Sequence, residues 1–165
     1  MIWIDFLEKM KTRKGANIKM EDFKTLENLE EYFKKVNCYG EYNYCFTCQM
    51  EQSILPILFG AVGAIIEMKR NKNVMGYLFN KFDKGICLIP IVSDTLTKNK
   101  VDIDNYIFID NNDIEKVIAK NEDIVYKKIK IILKNKKKYT MRTLKKIKNI
   151  EYHEINLNNF LSMCK

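Results

Sequence analysis

The 165-residue chain has room for one domain and a small extra element, and its 47% apolar and 12% aromatic content is enough for a packed core. Two prolines and six glycines exclude long disordered linkers. The net charge of +8 is local: residues 124–150 hold eleven Lys and Arg and no acid, so the rest of the chain sums to −3.

Trp3, Phe6, Leu7 and Met10 recur at helical spacing, which predicts a short amphipathic helix over residues 2–10 that ends in the polar stretch around Gly15. A cleaner helix opens at Met20, with Phe23, Leu26, Leu29, Phe33 and Val36 as its stripe, acids early and Lys34 and Lys35 late. Arg13-Lys14-Gly15-Ala16 shortly before Met20 also reads as a translated ribosome-binding sequence, which would make Met20 the natural start and residues 1–19 an upstream extension.

Tyr39-Gly40 breaks the helix, and residues 41–50 alternate as a strand, with Tyr42, Tyr44, Phe46 and Cys48 on one face. Residues 54–66 are the most hydrophobic run. As a helix they span about 20 Å against the roughly 30 Å of a bilayer core, too short to cross it. Packing on the domain is one reading of this run; docking into a membrane interface or a partner is the other, with Leu55, Leu58, Phe59 and Ile65 as the contact candidates.

Strands are predicted at 74–79 and 86–92, joined through residues 80–85 with Gly85 supplying a positive φ. Pro90 places the second strand at an edge, or its own residue at a bulge. Residues 93–100 read as a polar loop, 105–110 as a strand, 110–113 as a turn and 114–119 as extended chain.

Residues 124–150 contain the clearest hairpin. Ile129, Ile131 and Leu133 alternate with polar positions, and Tyr139 and Met141 return. A two-residue loop would set the apolar faces against each other. A three-residue loop, Asn135-Lys136-Lys137, puts Leu133 opposite Tyr139 and Ile131 opposite Met141, with Lys137 at a positive φ. Lys134 would then face Lys138, and Lys130 would face Arg142. Like charges directly opposite destabilise a sheet, so an anionic partner is one explanation for the arrangement. Codon bias toward Lys in an AT-rich gene, giving a merely solvated face, is the other. The chain closes with a helix over 156–164, Asn156 as N-cap and Leu157, Phe160, Leu161 and Cys164 as its stripe.

Motifs that would carry catalysis are weak. Cys45-Phe46-Thr47-Cys48 has C-x-x-C spacing, but residues three apart on a strand point to opposite faces, and no second pair completes a zinc site. The five cysteines, an odd count without a signal peptide, read as reduced thiols in the cytosol. His153, the one histidine, reads as an ordinary surface or loop residue with no G-x-S-x-G serine to serve. Asp102, Asp104, Asp110 and Asp113 lack the glycine and spacing of a calcium loop. No phosphate-binding glycine loop is present, and no paired aromatic platform marks a nucleic-acid surface.

The strand at 42–49, the glycine-containing apolar segment at 55–66, the hairpin GYLFNKFDKGICLIPI, the segment IFIDNNDIEKV, the hairpin IKIILKNKKKYTMRT and the final NLNNFLSMC occur in that order. This order, over residues 41–165, resembles the bacterial pleckstrin-homology-like (PH-like) domains. The chain departs from the Thr-Asp-Lys-Arg-Leu-like strand start that many members carry in the first hairpin. The resemblance implies a non-enzymatic scaffold of two nearly orthogonal antiparallel sheets capped by the C-terminal helix.

The expectation is therefore an α+β, PH-like domain of about seven strands at 39–165, preceded by an N-terminal helical extension at 1–38. It would be a non-catalytic binding module with no cofactor and no metal. Lys128, Lys130, Lys134, Lys136, Lys138 and Arg142 would meet an anionic membrane surface or a protein partner, with nucleic acid disfavoured. The alternative is a self-assembling interaction domain that forms a homo-oligomer through residues 54–66. The compartment would be the cytosol, with peripheral membrane attachment as the extension of that reading.

Overall fold

The computed structural model describes residues 24–50, 74–95 and 98–164. The expected helix at 2–10, the start at Met20 and the apolar run bearing Leu55, Leu58, Phe59 and Ile65 lie outside the described residues.

Helix α1, Leu26–Lys35, begins where the Thr25 hydroxyl accepts the Asn28 N–H, and it buries Leu29 and Phe33. It ends in a Schellman turn: Cys38 N–H reaches Phe33 O, Asn37 N–H reaches Lys34 O, and Asn37 takes φ 56°.

Eight strands follow among the described residues: β1 Asn43–Met50, β2 Val74–Phe82, β3 Gly85–Thr95, β4 Lys98–Val101, β5 Ile107–Asp110, β6 Ile114–Asn121, β7 Tyr126–Leu133 and β8 Lys138–Leu144. All pairings are antiparallel, in the order β4-β3-β2-β1-β8-β7-β6, with β5 also on β3. Strand β1 belongs to both halves. Asn43 to Cys48 pair with β2, and Gln49 and Met50 then pair with β8. Helix α2, Glu151–Met163, closes the chain.

The core divides by face. Phe46, Phe79, Ile86 and Leu88 of the first half join Ile129, Ile131, Leu133 and Met141 of the second under Leu157 and Phe160 of α2. On the other side Cys45, Leu78, Phe82, Cys87 and Ile89 pack with Leu29 and Phe33 of α1, and with Tyr126, Leu144, Ile147 and Ile150. Cys45 and Cys48 thus lie in different clusters, as their spacing on a strand requires.

Buried polar side chains satisfy backbone carbonyls near the place where β1 changes partner. Thr143 Oγ1 donates to Thr47 O at 2.7 Å, and Asn156 Nδ2 donates to Cys45 O at 3.0 Å. His153 is not the surface or loop histidine that the sequence predicts. It is 1% exposed and hydrogen-bonds Leu144 O at 2.8 Å. Helix α2 starts five residues before its expected start at Asn156 and carries His153 and Asn156 on its buried side. Two polar members disguise the stripe.

Other expectations shift for local reasons. The first hairpin turns on Asp83-Lys84 alone, so Asn80, Lys81 and Phe82 are strand residues. Asn80 is fully buried and donates to Cys38 O and Asn43 Oδ1. Gly85 is not in the left-handed region; a Cβ there would sit 2.2 Å from Ile109 O, so the residue is small because β5 passes against it. Pro90 is not on an edge strand. Its carbonyl accepts Asp102 N–H at 2.8 Å, and it lies where the outer side of β3 changes partner from β5 to β4, so its missing N–H breaks no ladder. Within the stretch expected to be a polar loop, residues 93–95 belong to β3 and residues 98–100 to β4, and the two strands pair with each other.

Candidate functional site

The β7–β8 hairpin keeps the expected apolar face but slips by one loop residue. Leu133 N–H bonds Lys137 O and Lys136 N–H bonds Leu133 O, so the loop is Lys134-Asn135-Lys136, with Lys136 rather than Lys137 at positive φ (70°). Asn135 Oδ1 accepts Lys137 N–H at 2.9 Å, a local bond that the centre of this loop permits. Parity is unchanged by the slip, and Ile129, Ile131, Leu133 and Met141 remain buried. The expected Lys134–Lys138 and Lys130–Arg142 pairs do not form. Lys138 faces Ile132, Lys130 faces Thr140 and Arg142 faces Lys128.

Strand β6 completes the surface. A bulge at Glu115 sets its register, after which Lys116, Ile118 and Lys120 pair with Ile132, Lys130 and Lys128. The outward positions of β6, β7 and β8 therefore form three rows: Lys120-Lys128-Arg142, Ile118-Lys130-Thr140 and Lys116-Ile132-Lys138. Lys130 is the centre, and all four corners are cationic. Directly opposite side chains are roughly 5 Å apart and diagonal ones roughly 7–8 Å. No acid occupies any of the nine positions.

Two acids of the neighbouring segments, Glu122 and Glu115, are already engaged. Arg142 Nε bonds Glu122, and its guanidinium lies over the Tyr126 ring, 4.5 Å from the centroid. Lys136 reaches Glu115 at 2.9 Å. No ion pair among the described residues involves Lys116, Lys120, Lys130 or Lys138.

Of the expected site residues, Lys128, Lys130, Lys138 and Arg142 thus share one face. Lys134 and Lys136 sit in the hairpin turn instead. Lys116 and Lys120 belong to the face, and sequence reasoning misses them. Their alternation is visible in the sequence, but they precede the all-basic window, and only the β6–β7 register joins them to it.

Four of the five thiols are enclosed, and Cys164 is half-buried. Cys38, Cys45, Cys48 and Cys87 are buried free thiols, and burial pushes the Cys45 and Cys48 thiols up. Asp102 and Asp110 make turn bonds, to Asn105 Nδ2 and Asn112 N–H. Among the described residues no cluster of three His, Cys, Asp or Glu could hold a metal ion, and no helix is long and apolar enough to cross a membrane.

No protein-family model matches the chain, and no curated protein or solved structure matches it.

Proposed function

We propose that this chain is a non-catalytic binding module of PH-like architecture, its two sheet halves packed nearly orthogonally, and that the outward face of β6–β7–β8 binds the anionic surface of a membrane from the cytosolic side. The observation that carries the reading is the nine-position face with six cations and no acid. The sharing of β1 between the halves and the cover that α2 provides support the architecture. A broad basic surface without a stacking platform suits a diffuse array of headgroups, where each Lys or Arg near the surface contributes about 1 kcal/mol.

The test is co-sedimentation with phosphatidylcholine vesicles, with and without phosphatidylserine, at low and high salt. Binding should require the anionic lipid and weaken with salt. The triple reversal Lys116→Glu, Lys130→Glu, Lys138→Glu should lower it by at least about a hundredfold. No binding by the wild-type chain at low salt, or equal binding by the folded triple variant, would overturn the proposal. Tighter binding to duplex DNA than to anionic vesicles at matched salt would overturn it too.

A further inference from the structure

The β6–β7 loop holds the most exposed large apolar side chain among the described residues: Ile124 is 92% exposed, and its neighbour Val125 44%. A single exposed isoleucine is ordinary. This one is held out by a fixed loop. Asp123 Oδ1 accepts the N–H groups of Val125 and Tyr126, both at 2.7 Å. Glu122 N–H reaches Tyr126 O at 3.1 Å, Lys145 N–H reaches Val125 O at 2.9 Å, and Lys145 Nζ donates to Asp123 O.

Both loop acids are therefore occupied within the protein. Asp123 braces the turn, where backbone donors hold its carboxyl below the usual carboxylate range, and Glu122 is engaged by Arg142. Around the loop stand Lys120, Lys128 and Arg142, one row of the cationic face, together with Lys145. Lys128 is four residues from Ile124 along the chain, at most roughly 13 Å if extended.

We infer that Ile124 and Val125 form a tip that enters the interfacial region of an anionic bilayer, with the adjacent cations meeting its headgroups. The inference rests on the membrane reading of the cationic face and adds the element that contacts the acyl region. Charge complementarity sets the approach, and the apolar tip makes lipid, rather than any soluble polyanion, the better occupant. A tip braced by its own acids enters without first losing loop entropy.

The experiment uses the full chain and the same phosphatidylserine vesicles. Ile124→Ser with Val125→Ser should weaken vesicle binding on the order of tenfold, the scale of transferring such side chains out of water, and should leave its salt dependence unchanged. The chain has one tryptophan. Ile124→Trp in a Trp3→Phe background therefore gives a single reporter, whose emission should shift to the blue on vesicle binding and be quenched by chain-brominated lipid. Vesicle binding that persists at wild-type strength in the double-serine variant overturns the tip and leaves the cationic-face reading standing. Unshifted emission from the vesicle-bound reporter variant does the same. Failure of the wild-type chain to bind vesicles overturns both.

Discussion

His153 offers the sharpest test of the packing. Its ring nitrogen Nε2 lies 2.8 Å from Leu144 O, and a carbonyl can only accept, so Nε2 carries the proton. Nδ1 is buried with no hydrogen-bond partner. Protonating it would place a charge beside the Phe46 ring, 6.1 Å between centroids, with no acceptor for the new N–H. Burial is the largest influence on this group. It outweighs the Leu144 hydrogen bond and the nearby Glu154 charge, which act in the opposite direction, and lowers the pKa to about 4.

The folded state thus binds the neutral imidazole, and the unfolded chain protonates near pH 6.5. The full contribution is present above pH 6.5 and is lost as the pH falls toward the folded value. At about 1.4 kcal/mol per unit of pKa difference, the loss reaches about 2 kcal/mol at pH 5 and about 3 kcal/mol at pH 4.

Urea unfolding at a series of pH values between 7.5 and 4.5 measures this directly. His153→Gln keeps an N–H for Leu144 O and does not titrate, so it removes the background contributed by carboxylates. The wild-type stability should fall below its own neutral value by about 2 kcal/mol more than the variant does by pH 5. Because the chain has one histidine, its imidazole proton resonance gives the folded pKa without ambiguity, even if the glutamine variant does not fold. Parallel pH slopes for the two proteins, or a folded imidazole that titrates above pH 6, would refute the argument.

Three further outcomes are expected. Gly85→Ala should cost about 1–3 kcal/mol in urea unfolding, because its Cβ meets the Ile109 backbone at 2.2 Å and β5 must shift; an unchanged midpoint would show that β5 yields freely. Lys136→Gly should stabilise the protein by about 0.5–1 kcal/mol, since the relief of the left-handed φ outweighs an exposed ion pair with Glu115, and a loss of stability in the same assay would contradict the assigned loop. Phe160→Ala should cost about 3–5 kcal/mol, because the ring packs at 5.1 Å from Phe79 and 5.7 Å from Phe46 beneath α2; a thermal midpoint within a degree or two of wild type would refute that placement.

What the sequence discloses and what it hides follow from the range of the interactions involved. The buried face of β7 is legible because alternation has a period of two, and a slip that conserves parity leaves every side chain on its face. The slip itself goes with local loop bonds, among them Lys137 N–H to Asn135 Oδ1, at a scale that alternation does not resolve. Strand β4 has little strand propensity of its own; its structure comes from pairing with β3, a contact made by the chain folding back. The requirement at Gly85 is invisible for the same reason, since the atom it must avoid belongs to Ile109. His153 and Asn156 look like surface residues until the carbonyls of Leu144 and Cys45 are placed against them.

The same distinction bears on whether the basic face is more than lysine-rich composition. Composition sets how many lysines a chain carries, but not which row of a sheet they occupy. The chain has 21 acids to 29 Lys and Arg, so a face assembled only for solvation would draw on both. It would also gain stability by doing so, because opposite charges across strands are favourable and like charges are not. Acids do occur at exposed positions elsewhere, as Glu27 and Glu31 in α1 and Asp104 and Asp113 in the turns beside β5. On the β6–β7–β8 face they are absent, and Lys128 lies directly between Lys120 and Arg142. A fold that forgoes favourable cross-strand pairs on one face, while using Glu115 and Glu122 just outside it, concentrates positive potential there at a cost to its own stability. A surface that meets negative charge from outside the chain recovers that cost on binding.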